Sequence, residues 1–190
     1  QRREVGVRGA RWRREGAGRH AWVSPRLEGK AKAALVAVEF DEFGGGRADR
    51  MHSKLFADMM AGVGLDPGYL HYLDDVPAPA LATVNLMSML GLHRSLRGAL
   101  VGHFAAAEIT TAPSARRMAQ AMERLGFGEH AFFYTEHVEA DAVHEQVMRH
   151  DVVGDLIARE PELAQDVVFG IEATGVLEDR LTDHLMVAWR

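Results

Sequence analysis

Apolar residues in this chain recur mostly at intervals of three and four, which is the spacing of amphipathic α-helices. Residues 47–63 show this spacing clearly, with Met51, Leu55, Phe56, Met59, Met60 and Val63. Residues at these intervals share one face of a helix, and a folded protein buries that face. No segment alternates convincingly like a strand, and the Gly and Pro residues separate helices rather than hairpins. The pattern therefore predicts an all-α fold.

Further helices are predicted from the same spacing and from the positions of helix-breaking residues. The triple glycine at residues 44–46 ends a first helix, and Pro113 ends another, after which Ser114 is a plausible N-cap. These helices cover residues 31–43, 69–74, 81–93, 95–111, 114–125 and 136–148, and one or two closing helices follow between 161 and 189.

The helix predicted over residues 136–148 carries polar groups on its apolar stripe. His137, Asp141 and His144 lie four and seven residues apart and share that stripe with Phe133, Ala140, Val147 and Met148. Burying imidazole and carboxylate groups is costly unless they are paired or bind a metal. Imidazole with carboxylate suits iron, manganese or zinc. Taken alone, the segment is equally compatible with an exposed, histidine-rich face.

Three more polar groups are predicted to point inward. His52 precedes Leu55 and Phe56 by three and four residues, and Glu108 follows Phe104 by four. With Glu42 and the trio they make three His and three carboxylates, a ligand set for two metals bridged by carboxylates in a helical bundle. A straight helix would place Glu42 and His52 about 80° apart, so we expect a bend at residues 44–46.

Composition limits the remaining choices. The chain has 190 residues, a net charge of −5 and no cysteine, which excludes disulfides, thiolate zinc sites and iron–sulfur clusters. We expect a cytoplasmic protein, because no apolar run reaches the ~18 residues of a membrane span and the start has no signal-peptide pattern. Residues 1–20 contain seven Arg and several Gly. We interpret them as a disordered or atypical segment, with one acidic domain over residues 21–190 that is not expected to bind nucleic acid.

Several runs resemble a known family. They are PRLEGKAKAALVAVEFDEFGGG, RMHSKLFADMM, LATVNLMSMLGLHR, GALVGHFAAAEITT and, above all, EHVEADAVHEQ. These runs are similar to the bacterial iron-containing redox enzymes of the haem-oxygenase-like di-iron oxidase and oxygenase superfamily. The resemblance covers residues 22–190.

The resemblance implies a bundle of about seven helices and a set of metal ligands. In the family the ligands come as a Glu, then a Glu followed by a His, then a lone Glu, and last a His-x3-Asp-x2-His helix. The matching positions are Glu42, His52, Glu108, His137, Asp141 and His144. The family's first Glu should lie about one helix before Glu42, and only Glu15 offers itself, in surroundings that differ from the family's.

The resemblance also implies a reaction. Two Fe(II) ions would use O2 as co-substrate to oxidise a small organic molecule, with electrons from a separate donor. Known relatives hydroxylate amine nitrogens, or cleave or desaturate aliphatic acids and amino acids. Homodimers are common among bundles of this kind, so a dimer is one expectation.

Two other functions fit the same residues. A zinc hydrolase could use His137, Asp141 and His144, although the chain lacks an HExxH motif and six candidate ligands exceed what one catalytic zinc uses. The bundle could also bind metal without catalysing a reaction.

Overall fold

The computed structural model describes residues 16–188, and within that range the chain is helical and contains no strand. The predicted all-α fold is therefore confirmed. The α-helices are α1 (Gly29–Glu42), α2 (His52–Gly62), α3 (Ala78–Leu92), α4 (Arg97–Arg124), α5 (Phe132–Gln146), α6 (Gly154–Arg159) and α7 (Ala164–Ala188). A π-helical segment, Val147–Val153, joins α5 to α6 without a break. None of the described helices is long and apolar enough to cross a membrane.

The apolar core has two parts. One part surrounds Leu35 of α1, Leu100 and Phe104 of α4, and Met148 of the π-helical segment. The other surrounds a set of residues on α2, α4 and α5 that includes Phe56, Met60, Met122 and Phe133. Helix α4 extends from one part to the other, and α5 does so through the π-helical segment that continues it. Their polar positions between the two parts are therefore enclosed by apolar side chains on both sides.

Helices α4 and α7 pack backbone against backbone through two glycines. A Cβ atom added at Gly102 would lie 2.0 Å from the carbonyl oxygen of Val167, and one at Gly170 would lie 2.0 Å from that of Ala99. No side chain fits at these distances. The absence of a Cβ atom at both positions therefore sets how closely the two helices approach.

Helix α4 corrects one prediction. The sequence indicated two helices separated at Pro113, but α4 runs from Arg97 to Arg124 with Pro113 inside it. A proline removes one helical hydrogen bond and strains the preceding turn. Pro113 is exposed, and both flanking turns carry buried residues, so packing on either side holds the helix together across it. Ser114 is consequently not an N-cap.

The first described residues extend the packed region toward the N-terminus. Residues 16–20, assigned from sequence to the Arg- and Gly-rich segment, lie in a 3₁₀ helix spanning Gly16–Arg26. His20 is buried there and stacks on Phe104, with ring centroids 4.1 Å apart. Glu15 and the rest of residues 1–15 lie outside the described residues.

We expect Gly102→Ala to lower the free energy of unfolding by ~3 kcal/mol, because the new methyl group must push α7 away. Gly175 is the matched control, since it lies on α7 and a Cβ atom there meets nothing within 4 Å. Gly175→Ala should raise the free energy of unfolding by ~1 kcal/mol through helix propensity. Urea denaturation of both variants measures the difference, and equal effects would contradict this account of the contact.

Candidate metal centre

The six side chains singled out from the sequence come together between the two parts of the core. Glu42 is the last residue of α1, His52 is the first of α2, Glu108 lies within α4, and the other three lie on α5. Their ligand atoms form two groups, each with all atoms within 4.8 Å of one another. The first group is Glu42, His52 and His137, and the second is Glu42, Glu108, Asp141 and His144. Glu42 belongs to both groups.

The turn after α1 brings Glu42 and His52 together. Gly44, Gly45 and Gly46 have φ angles of 71°, 62° and 80°, which glycine adopts readily and other residues avoid. A Cβ atom at Gly44 would also lie 2.6 Å from the backbone carbon of Arg50. The predicted bend is confirmed, and it places the Glu42 carboxylate 2.9 Å from His52 Nδ1.

His137 completes the first group with a defined ring orientation. Its Nδ1–H donates a hydrogen bond of 2.6 Å to the backbone carbonyl of Phe133, one turn earlier on α5. The lone pair of this imidazole is therefore on Nε2. Metal-binding histidines commonly have this arrangement, in which a carbonyl fixes the tautomer and the other nitrogen binds the ion.

In the second group, His144 lies among carboxylates on both edges of its ring. Its Nδ1 is 3.1 Å from Glu108 Oε2 and 3.7 Å from Asp141 Oδ1. Its Nε2 is 3.2 Å from Asp41 Oδ2, a carboxylate that the sequence analysis missed. Asp41 is mostly exposed, and from that position its carboxylate can accept a hydrogen bond from the Nε2–H of His144 when Nδ1 binds an ion.

The donor atoms fit divalent metal ions. Two ligand atoms on neighbouring positions of one ion, each about 2.1 Å from it, lie about 3 Å apart, which matches the 2.9 and 3.1 Å pairs above. Both oxygens of Asp141 are buried and accept no hydrogen bond. A buried carboxylate that accepts no hydrogen bond is costly, and a cation would compensate for it. The mixture of imidazole and carboxylate suits iron, manganese or zinc.

Comparison with known protein families indicates which of these metals the family uses. The sequence model of a family described as iron-containing redox enzymes matches residues 12–178. The chain belongs to this family of iron-containing redox enzymes. The resemblance recognised from the sequence runs is thereby confirmed, and so is the haem-oxygenase-like helical fold that it implied.

One curated relative is similar over a large part of the chain. It is a nitrosourea synthase from Streptomyces achromogenes subsp. streptozoticus, 29% identical over 152 residues, which are 78% of this chain and 32% of that protein. The chain thus aligns with about a third of the length of that relative. The relative's name describes the whole of the longer protein.

Burial and close contacts shift the pKa values of the acids and histidines in the metal centre of this iron-containing redox enzyme. Although burial opposes both changes, the contact between Glu42 and His52 lowers the pKa of the carboxyl and raises that of the imidazole. Burial raises the pKa of Glu108 to about 7. Against the effect of burial, the carboxylates of Asp141, Glu108 and Asp41 raise the pKa of His144 to about 11. Without a metal, protons provide the positive charge that these carboxylates need.

Glu39 is a further buried acid that the sequence analysis missed. It lies on α1 one turn before Glu42, and burial raises its pKa to about 8, with smaller effects from Glu42 and Glu108. Its spacing of four from Leu35 and three from Glu42 would have identified it, because both neighbours face inward.

A cavity of about 470 Å³ opens beside the first group. Its lining carries charges of both signs. The residues are Asp41, Gly44, Gly45, Arg47, Arg50, His52, Glu136, Glu139 and Ala140. Since His52 and Asp41 each contact a member of the centre, a small polar molecule in this cavity would lie next to the donor groups.

The stability of the metal-free protein should fall as pH rises from about 7 to 8.5, because the lowered pKa values of the buried His20 and His103 act in the opposite direction only below about 6.5. The folded state holds the protons of Glu39, Glu108 and His144 more tightly than the unfolded state, because all three have raised pKa values. Stability is therefore lost between the unfolded and folded pKa of each group: about 4.5 to 8, 4.5 to 7 and 6.5 to 11.

Glu39→Gln serves as the comparison, since the amide keeps the shape of the acid and does not titrate. The variant should lose less stability than the wild-type chain over the same pH range. Chemical denaturation of chelator-treated protein at several pH values measures the slope. Identical slopes for the two proteins would show that Glu39 does not hold the extra proton.

Proposed function

We propose that this protein is a non-haem di-iron enzyme that uses O2 to oxidise a small polar organic molecule. The observation that carries the proposal is the pair of adjacent donor groups that share the Glu42 carboxylate. One divalent ion would be held by His52 and His137, and the other by Glu108, Asp141 and His144, with Glu42 between them. A zinc hydrolase would need only one such group, and the family's description as redox enzymes favours iron.

The two irons would supply Lewis acidity and electrons for the reduction of O2. The chain's own residues fix the site around them. Hydrogen bonding to the Phe133 carbonyl keeps the His137 ring in one tautomer, and Asp41 can orient the His144 ring. The apolar residues on either side exclude bulk water, which strengthens the interaction of every charged group inside.

The charges around the cavity support a substrate with an amine. Asp41, Glu136 and Glu139 would attract a basic nitrogen, which reacts after it has lost its extra proton, while Arg47 and Arg50 would bind a carboxylate of the same molecule. The nitrosourea synthase relative also points to chemistry at nitrogen. We therefore propose amine N-hydroxylation, with oxidative cleavage or desaturation of an aliphatic or amino acid as the runner-up.

The proposed reaction balances with an external electron donor. A secondary amine, O2, two electrons and two protons give a hydroxylamine and water. One oxygen atom enters the new N–O bond, and the other leaves as water. The N–H proton that is lost in forming that bond reappears in the hydroxyl group.

Anaerobic titration with Fe(II) should give about two bound ions per chain. His137→Ala and His144→Ala should each reduce the number to about one, because each variant removes a ligand from a different group. His184→Ala is the control, since His184 is an exposed residue of α7. Unchanged binding in both site variants, or no binding by the wild-type chain, would refute the metal centre.

Exposure of the Fe(II)-loaded protein to O2 should produce a transient visible absorption and consume O2. With an amine substrate and a reductant, mass spectrometry should detect a product heavier by one oxygen atom, labelled when 18O2 is used. Metal that stays bound without any reaction with O2 would instead support a protein that only binds metal. An unlabelled or unchanged substrate would argue against oxygenation of the tested amines.

A further inference from the structure

Glu39 has the most exceptional environment of the acids that the proposed centre does not use. Its side chain is 6% exposed, and neither carboxyl oxygen has a hydrogen-bond partner. A buried polar group without a partner costs free energy, and a chain keeps one only where something compensates. The described protein atoms do not provide that compensation for Glu39.

Glu39 lies next to the metal centre, although its carboxyl oxygens are not among the atoms that lie within 4.8 Å of one another there. It precedes Glu42 by three residues on α1, so the two side chains lie on the same face of the helix. Its carboxyl interacts electrostatically with both Glu42 and Glu108. These two residues are members of the second donor group. Glu39 therefore lies on the side of the centre that these two carboxylates form.

With two divalent ions bound, the described donors would leave one positive charge without a negative partner. Two divalent ions bring four positive charges into the protein interior. Among the six described donors, Glu42, Glu108 and Asp141 bring three negative charges, while histidines that bind metal are neutral. An excess charge in a buried site is costly. The Glu39 carboxylate would bring the described part of the centre to neutrality.

We propose that Glu39 is a further carboxylate ligand of the metal centre and binds the ion held by Glu108, Asp141 and His144. The inference rests on the proposed function, because it requires that metal ions occupy the two donor groups. When the ion enters, rotation of the Glu39 side chain would bring its carboxyl to the ion, which would then take the place of the proton and partner the oxygens that otherwise lack one.

The test compares metal binding by the wild-type chain, Glu39→Gln, Glu39→Asp and the control Glu172→Gln. Gln keeps the shape of the side chain but loses its charge, and Asp keeps the charge on a side chain that is shorter by one methylene group. Glu172 is an exposed residue of α7. Anaerobic titrations with Fe(II) and with Co(II) give the number of ions and their affinities. We expect Glu39→Gln to bind one ion at least about 10-fold more weakly, Glu39→Asp to fall between it and wild type, and Glu172→Gln to match wild type.

Thermal denaturation separates a ligand from a structural residue. At pH 7.5 without metal, Glu39→Gln should melt at or above the temperature of the wild-type chain, because it replaces an unpartnered acid by a neutral amide. With metal added, its melting temperature should rise less than that of wild type. A metal-free variant that is destabilised, with an unchanged rise on metal addition, would show a structural role and overturn the inference.

The two proposals fail in different ways. If the wild-type chain binds no iron pair, the proposed function fails and the inference fails with it. If the wild-type chain binds two ions and Glu39→Gln binds both with unchanged affinity, only the inference is overturned. Weakened binding of one ion in Glu39→Gln, together with unchanged binding in Glu172→Gln, supports both.

Discussion

The enclosure of several carboxylates within one small apolar space is the constraint on which the rest of the structure depends. Glu42, Glu108 and Asp141 come from three helices and converge with three imidazoles. Like charges in a medium of low polarity repel each other strongly unless cations lie between them. The raised pKa values of Glu108 and His144 show that the metal-free chain meets this need with protons. Divalent ions meet it better, because each brings two charges to a fixed place.

This constraint explains why the arrangement of helices around the centre is so specific. Helix α4 must cross α5 where Glu108 meets His144, and α1 must turn sharply to return as α2. The close contact of α4 with α7, made possible by Gly102 and Gly170, fixes the position of α4 from another side. The polar centre is thus held by apolar contacts that contain no metal ligand.

The residues of the centre could be predicted from sequence because the spacing of residues along a helix determines which face each side chain occupies. His137, Asp141 and His144 had to share a stripe once the segment was helical, and Gly44 to Gly46 had to bend the chain. Glu39 and Asp41 were missed for different reasons. Glu39 is one of three acids at the end of α1, where a cluster of charges is usually exposed to solvent. Asp41 contacts His144 across 103 positions of the chain, and no local sequence pattern predicts such a contact.

The continuity of α4 through Pro113 could not be predicted from local propensity either. A proline normally ends a helix, and here contacts of distant segments with both halves outweigh that preference. The same limit applies to the cavity, whose lining comes from α1, α2, α5 and the turn between the first two. Sequence spacing predicts which way a side chain faces on its own helix. It does not predict which neighbours complete a pocket.

The π-helical segment after His144 determines the rotational phase of the last part of that long helical stretch. Met148, Val152 and Leu156 are all buried and follow His144 at successive steps of four. In a regular α-helix, twelve residues at 100° each would leave Leu156 about 120° away from the direction of His144. The wider turns of Val147–Val153 offset that drift. The continuous helical stretch from α5 to α6 thus carries the imidazole and carboxylate donors in its first half and buried apolar side chains in its second. Both sets face the interior of the bundle.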